Sequence, residues 1–387
     1  RGLEKIESLR AKLYKGMASN GLVGEVADEI YGRIQAFANF GFAESHSLSF
    51  SLLVYASSWL KLHYPGVFLA GLLRAQPMGF YSPASLSGDA RRHGVEVRRP
   101  DLQLSGVEAG MELIDASRDA TGLHSCTDRI QPPVGVFDRS EPDVSADHRR
   151  DGNWAVRLGL AAVNRIGTKV AERIVAEREA SGSYRSMEDL VRRTSLTTAQ
   201  LESLATAGAF DCFDLTRREA LWRAGSAAQD REEFLADSIV TVQPPLFADP
   251  SAFETLASDL WATGISTDDH PLRHFRDGLS ERGALSSRDM RTAESGRRIE
   301  VAGLVTHRQR PATASGITFL NLEDEHGLVN VICSMGVWGR YRRVVRESPA
   351  LIVRGILERS DEGVTNLLAD RFEPLRVAVL HRSRDFQ

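Results

Sequence analysis

Leu158-Gly159-Leu160-Ala161-Ala162-Val163-Asn164-Arg165-Ile166-Gly167-Thr168-Lys169-Val170-Ala171-Glu172-Arg173-Ile174 is the stretch whose reading decides the architecture. Leu158 and Ala162 stand four apart, the spacing of an apolar helical face, and Val170 and Ile174 resume that spacing after a break. The break, Arg165-Ile166-Gly167, predicts a tight corner, with a second helix starting at Thr168. Gly167 allows a backbone conformation that a side chain would obstruct, so the corner can be short. The new helix then points N–H groups outward that have no partner within it. Beside Arg165 and Lys169 those donors form a small anion site. A phosphodiester fits it, and nothing in it reads a base. The alternative is an ordinary core corner between two helices.

The stretch resembles a helix-hairpin-helix, a hairpin that grips a nucleic-acid backbone. That resemblance assigns DNA contact to Arg165, Ile166, Gly167, Thr168 and Lys169. The usual hairpin carries glycine on both sides of the apolar residue, whereas Arg165 holds the first place here. A more degenerate second copy lies at Thr206-Ala207-Gly208-Ala209. Three capping boxes, Ser186/Asp189, Thr197/Gln200 and Thr216/Glu219, predict a series of short helices around the two copies.

Outward from this core, 387 residues predict two to four domains. The first residue is Arg1 and the chain already reads as helix there, so it is expected to be a fragment of a longer protein. Cys126, Cys212 and Cys333 are isolated from one another, which points to a reducing, cytoplasmic setting and away from a zinc site. No signal peptide and no bilayer-length apolar run is present, so no membrane partner is expected.

The net charge of −4 divides unevenly: +4 over residues 1–100, +2 over 154–225 and +3 over 297–347, against −6 over 101–153 and −7 over 226–296. Basic excess thus falls on the segments that read as folded modules, as a nucleic-acid binder would have it. Residues 105–153 lose periodicity and read as an irregular connection; 226–296 read as an acidic linker with some helix. Leu48 to Leu62 is apolar almost all round, which predicts a buried helix. From Ile299 the period becomes two. Ile299–Val305, Ile317–Leu322, Val329–Ile332, Leu351–Leu357 and Val364–Leu368, with a helix at Trp338–Val345, predict a five-stranded OB barrel. Phe319 would be its stacking platform or a core residue, with Arg308, Arg310 and Arg340-Tyr341-Arg342-Arg343 at its edges. The expected fold is therefore multidomain and mainly α, ending in an OB-fold β-barrel. Its parts are 1–104, 105–153, 154–225 (tandem hairpins), 226–296, 297–375 (OB) and a tail at 376–387.

Phe42-Ala43-Glu44-Ser45-His46-Ser47-Leu48-Ser49-Phe50, continuing to His63-Tyr64-Pro65, closely resembles the fingers of bacterial C-family replicative polymerases, the Pol III alpha subunits. Leu73 to Tyr81 and Asp89 to Asp101 look like the error-prone, ImuC-type branch. The resemblance implies that the intact protein is a DNA-directed DNA polymerase for damage-induced translesion synthesis. It also implies dNTP and primer-template DNA as partners, with Mg²⁺ held by palm carboxylates expected upstream of Arg1. No cofactor is expected within this segment, which alone should be inactive. Ser45 and His46, and less directly Lys61, become the nucleotide-facing residues. Gln243, Leu246 and Phe247, in Gln243-Pro244-Pro245-Leu246-Phe247, look like a sliding-clamp peptide, though clamp contact could instead pass through accessory proteins of the ImuB type. A non-catalytic nucleic-acid or interaction scaffold built from hairpin and OB modules is the alternative.

Overall fold

Alternation, helix caps and apolar spacing build two units in the computed structural model, Arg1–Lys61 and Leu62–Gln387. The structure describes residues 2–38, 44–79, 81–115, 148–229, 250–360, 364–377 and 384–386. In the first unit, α1 (Gly2–Ser19) and α2 (Glu25–Ala38) pair through the Tyr14 and Tyr31 rings, 5.4 Å apart, and a Tyr14 O–H bond to Asp28. The third helix, α3 (Glu44–His63), corrects an expectation. It forms where apolar residues dominate, but Leu48 and Tyr55 are 74% and 78% exposed rather than buried. Composition shows that such a helix needs covering. The pairing of α1 with α2 does not supply that cover.

The second unit opens with α4 (Pro65–Arg74) and α5 (Pro83–Arg92). Strands β1 (Val97–Arg98), β2 (Gly110–Leu113) and β3 (Trp154–Arg157) follow, in the order β1-β3-β2 with β1 parallel to β3. The helix expected at Leu158 is not formed. The Leu158 N–H instead donates to the Arg98 carbonyl, extending the sheet, and only a 3₁₀ turn, Leu160–Ala162, precedes the corner. Then come α6 (Gly167–Ser181), α7 (Met187–Thr194), α8 (Thr198–Thr206) and α9 (Arg217–Ala227). Complete capping boxes form at Thr197/Gln200 and Thr216/Glu219. At Ser186 only half does: Asp189 turns its carboxylate to the Arg185 N–H. Leu160, Val163, Ile166, Ile174, Leu190, Leu201, Leu204 and Phe210 share one core.

The stretch 250–292 is a second correction: acidic composition predicts a linker with some helix, and the structure has a packed segment. It comprises α10 (Ala252–Thr263), a 3₁₀ turn Pro271–Phe275, α11 (Arg276–Glu281), β4 (Ala284–Leu285) and α12 (Ser287–Thr292), with Leu256, Ile265, Leu272, Leu279 and Met290 buried. Most of its acids are engaged in structure. Glu254 and Asp289 complete capping boxes with Ser251 and Ser286, Asp259 meets Arg217, and Asp269 pairs with His274. Net charge counts such carboxylates as if they were free in water.

The C-terminal barrel comprises β5 (Arg298–Gln309), β6 (Thr318–Glu323), β7 (Leu328–Cys333), α13 (Met335–Glu347), β8 (Ala350–Arg359) and β9 (Thr365–Pro374). Strand order β5-β6-β7-β9-β8, with β8 returning to β5, closes it and leaves the helix between the third and fourth strands, the OB layout. Short β10 (Arg384–Phe386) runs parallel to β5. Val301, Val305, Leu320, Leu322, Val331, Val353, Leu357 and Leu367 fill the interior. Buried Glu323 fastens the barrel to α5, accepting from the Ser85 hydroxyl and the Arg92 guanidinium at 3.2 Å each. Burial pushes its carboxyl above the usual range, against the pull of Arg92. Among the described residues no helix is long and apolar enough to cross a membrane.

Candidate nucleic-acid interface

The corner at 165–167 is tighter than one glycine would make it. Arg165 and Gly167 both adopt positive φ, 65° and 63°, and Ile166 between them is helical. A left-handed conformation costs a residue with a side chain roughly 1–2 kcal/mol, so Arg165 is held there by its surroundings. Ile166 is 3% exposed and packs into the core, so its side chain is the plug that seats the corner and leaves only its backbone for a DNA contact. Burying it contributes about 1.5–3 kcal/mol.

Above that plug, α6 begins with no side-chain cap, whereas α7, α8 and α9 are closed by Ser186, Thr197 and Thr216. Its first amide donors are left to solvent or to a ligand, on the positive end of a 15-residue helix. Gly167, Thr168 and Lys169 are exposed, and a Cβ built at Gly167 would meet nothing within 4 Å, so the approach is open. No ion pair joins Arg165, Lys169 or Arg173 to a described carboxylate, and all three are exposed. Exposed amide donors and three cations at one helix start suit an anion.

Two supports of this corner come from α10. The Asn164 N–H donates to the Ala262 carbonyl at 2.7 Å, and the Arg165 guanidinium lies over the Trp261 ring, 5.6 Å from its centroid. The helix α10 is in turn anchored by Asp259, 4% exposed, which accepts from Arg217 at 2.5 Å and lies 3.5 Å from the Arg99 Nε. Burial pushes the Asp259 carboxyl upward against the pull of both guanidinia. The second hairpin copy is occupied by this anchor. Gly208 is buried with φ 76°, and a Cβ there would lie 3.3 Å from Arg217 Nε, leaving no approach for a phosphate.

On the barrel, Phe319 sits on the outer face at 36% exposure. The register continues its row across the sheet, Phe319 opposite Ile332, Ile332 beside Leu368, Leu368 opposite Ile356. The next row runs Asn321, Asn330, Asn366. Arg308 corrects its assignment as an edge contact. It is buried, donating to the carbonyls of Val345 and Ser348 at 2.7 and 2.6 Å, and so closes the C-terminal end of α13. A register shift between Val305 and His307 defeats the simple alternation there. Tyr341 also departs from its assignment: half-buried, its ring packs 5.9 Å from Phe372 against the barrel core. Arg310, over the Trp338 ring at 5.5 Å, and Arg340, Arg342 and Arg343 are exposed, with Arg343 paired to Glu347.

Ser45, His46 and Lys61 are exposed on α3, but they do not converge. His46 and Lys61 stand fifteen residues apart, roughly 22 Å along a helix at 1.5 Å per residue. The His46 ring lies 5.4 Å from Phe50. Gln243, Leu246 and Phe247 lie outside the described residues.

Comparison with known proteins joins these pieces. A helix-hairpin-helix motif matches residues 94–220, and an OB-fold nucleic acid binding domain matches 299–375. An error-prone DNA polymerase from Cutibacterium acnes is 54% identical over all of this chain and 34% of its own length. Error-prone DNA polymerases from Mycolicibacterium paratuberculosis and Mycobacterium tuberculosis H37Rv are 45% and 44% identical, again over 100% of this chain and 32% of theirs. The chain belongs to the error-prone branch of the C-family DNA polymerases. It spans about a third of the length of the relatives it matches.

Within this error-prone polymerase segment, sequence reasoning missed Trp261, Arg173 and the Ile332–Leu368–Ile356 row. Arg173 carried a usable signal, four residues beyond Lys169 on one helix face. Trp261 carried none, because its partner is 96 positions away. The Mg²⁺ that the resemblance implies was assigned to carboxylates outside this chain. Among the described residues no group of three or more His, Cys, Asp or Glu is arranged to hold a metal.

Proposed function

We propose that this segment holds primer-template DNA without sequence preference while the chemistry of a translesion polymerase proceeds elsewhere in the intact protein. The carrying observation is the open mouth of α6: an uncapped helix start at Gly167, beside Arg165, Lys169 and Arg173, none paired to a described carboxylate. Amide donors and cations take up phosphate oxygens without regard to the base. The outer barrel face, with Phe319 for stacking and Arg310, Arg340 and Arg342 exposed on the same domain, is the surface for an unpaired strand. Ser45 and His46, at the start of α3, would meet the incoming nucleotide in the full enzyme, with Lys61 too distant to share that contact. Gln243, Leu246 and Phe247 would reach the sliding clamp, directly or with accessory translesion proteins. The chain alone is expected to extend no primer.

The test is the salt dependence of duplex affinity. Each phosphate contact contributes about −0.9 to the slope of log K against log salt. Arg165→Ala/Lys169→Ala should weaken binding for all sequences alike and flatten the slope by about 2. An unchanged slope would remove the backbone grip.

A further inference from the structure

Trp261 stands on α10, in the stretch whose composition reads as linker, and it is 42% exposed. Exposure alone assigns it nothing, but its surroundings do. The Arg165 guanidinium sits over the ring at 5.6 Å, and one residue on, the Ala262 carbonyl accepts the Asn164 N–H. Arg165 itself is held at φ 65°, a conformation that an arginine does not choose. Backbone and side chain of the corner are thus both tied to one turn of α10. That turn is fixed by the buried Asp259 and by the αL stop at Gly264, φ 73°.

We infer that Trp261 is a positioning residue for the DNA grip: its ring holds the Arg165 guanidinium at the mouth of α6, with the fork free to reach a phosphate. This rests on the proposed grip by the corner. An arginine on a flexible stem loses side-chain freedom when it binds, and one already resting on an aromatic face loses less. The cation–π contact leaves the N–H edge of the guanidinium available, unlike a carboxylate partner, which would consume it. The arrangement explains why this exposed arginine is oriented by an aromatic ring.

The test uses the 387-residue chain and a fluorescein-labelled duplex with a recessed end, comparing Trp261→Ala, Trp261→Phe, Arg165→Ala and Trp261→Ala/Arg165→Ala. Trp261→Ala should weaken binding about two- to fivefold, and Trp261→Phe should restore most of it. In the Arg165→Ala background, Trp261→Ala should have no further effect. Thermal unfolding of each variant verifies that it folds. Binding that is unchanged in Trp261→Ala, or lowered equally with and without Arg165, overturns the positioning role. If Arg165→Ala and Lys169→Ala also bind as well as wild type, the failure lies in the grip itself rather than in Trp261.

Discussion

Replacing Asp259 with alanine tests whether 250–292 is part of the hairpin module. Its carboxylate accepts from Arg217 at 2.5 Å and lies 3.5 Å from Arg99, with the Arg217 side chain only 10% exposed. Arg217 has one other described acceptor, the Thr255 carbonyl at 3.2 Å, while Arg99 keeps Asp268 at 2.8 Å. The mutation therefore strands mainly one buried cation. Removing one member of a buried pair costs about 3–5 kcal/mol, most of it the desolvation of the charge left behind. In a unit of this size each kcal/mol lowers the melting temperature by roughly 2–4 °C, so a fall of about 6–20 °C is expected by calorimetry. Duplex affinity should fall with it even well below the transition, because α10 no longer fixes Asn164 and Arg165. Asp259→Leu/Arg217→Met, which removes both charges, should recover most of the stability. A shift under about 2 °C for Asp259→Ala would refute the anchor and return the segment to linker status.

Arg165→Gly should be more stable than Arg165→Ala by about 1 kcal/mol in urea unfolding, since only glycine adopts positive φ without strain, while both variants lose DNA affinity; equal stabilities would contradict the strained corner. Glu323 has its pKa raised by burial, so its ionisation opposes folding: wild type should gain least over Glu323→Gln at high pH and most in acid, the difference in melting temperature drifting against wild type as pH rises through the raised pKa. A difference independent of pH would show that the carboxyl is not desolvated. Cys212 and Cys333 are pushed by burial to about 11, which leaves about one thiol in a thousand ionised at pH 8. Both should alkylate slowly until the chain is unfolded, and rapid labelling of either in the native protein would contradict that burial.

Local signals in the sequence were read well, and long-range ones were not. Alternating Ile299, Val301 and Val305 marked β5, and Thr197 and Thr216 marked helix starts, because each depends on neighbours within a few positions. Gly167 likewise announced its corner. What escaped was set by partners far along the chain. Arg308 turns inward because of a bulge two residues earlier and because two carbonyls near the end of α13 await donors. The acids of 250–292 looked solvated because Arg217 and Arg99, which hold Asp259, lie 42 and 160 positions away. At Ile166 the sequence marks the corner but not the side chain's direction, because core and surface alternate within a single turn there. The all-round apolar face of α3 was legible, but its environment was not, since periodicity reports a need for cover without naming what provides it.

The backbone grip at α6 is tested most directly by a structure of the chain bound to duplex DNA, measuring from the amide nitrogens of Gly167, Thr168 and Lys169 to the nearest phosphate oxygen. Distances of about 3 Å, with Arg165 over Trp261 and reaching the same strand, are expected. A corner packed away from every phosphate, with the DNA held by other surfaces, would contradict the account.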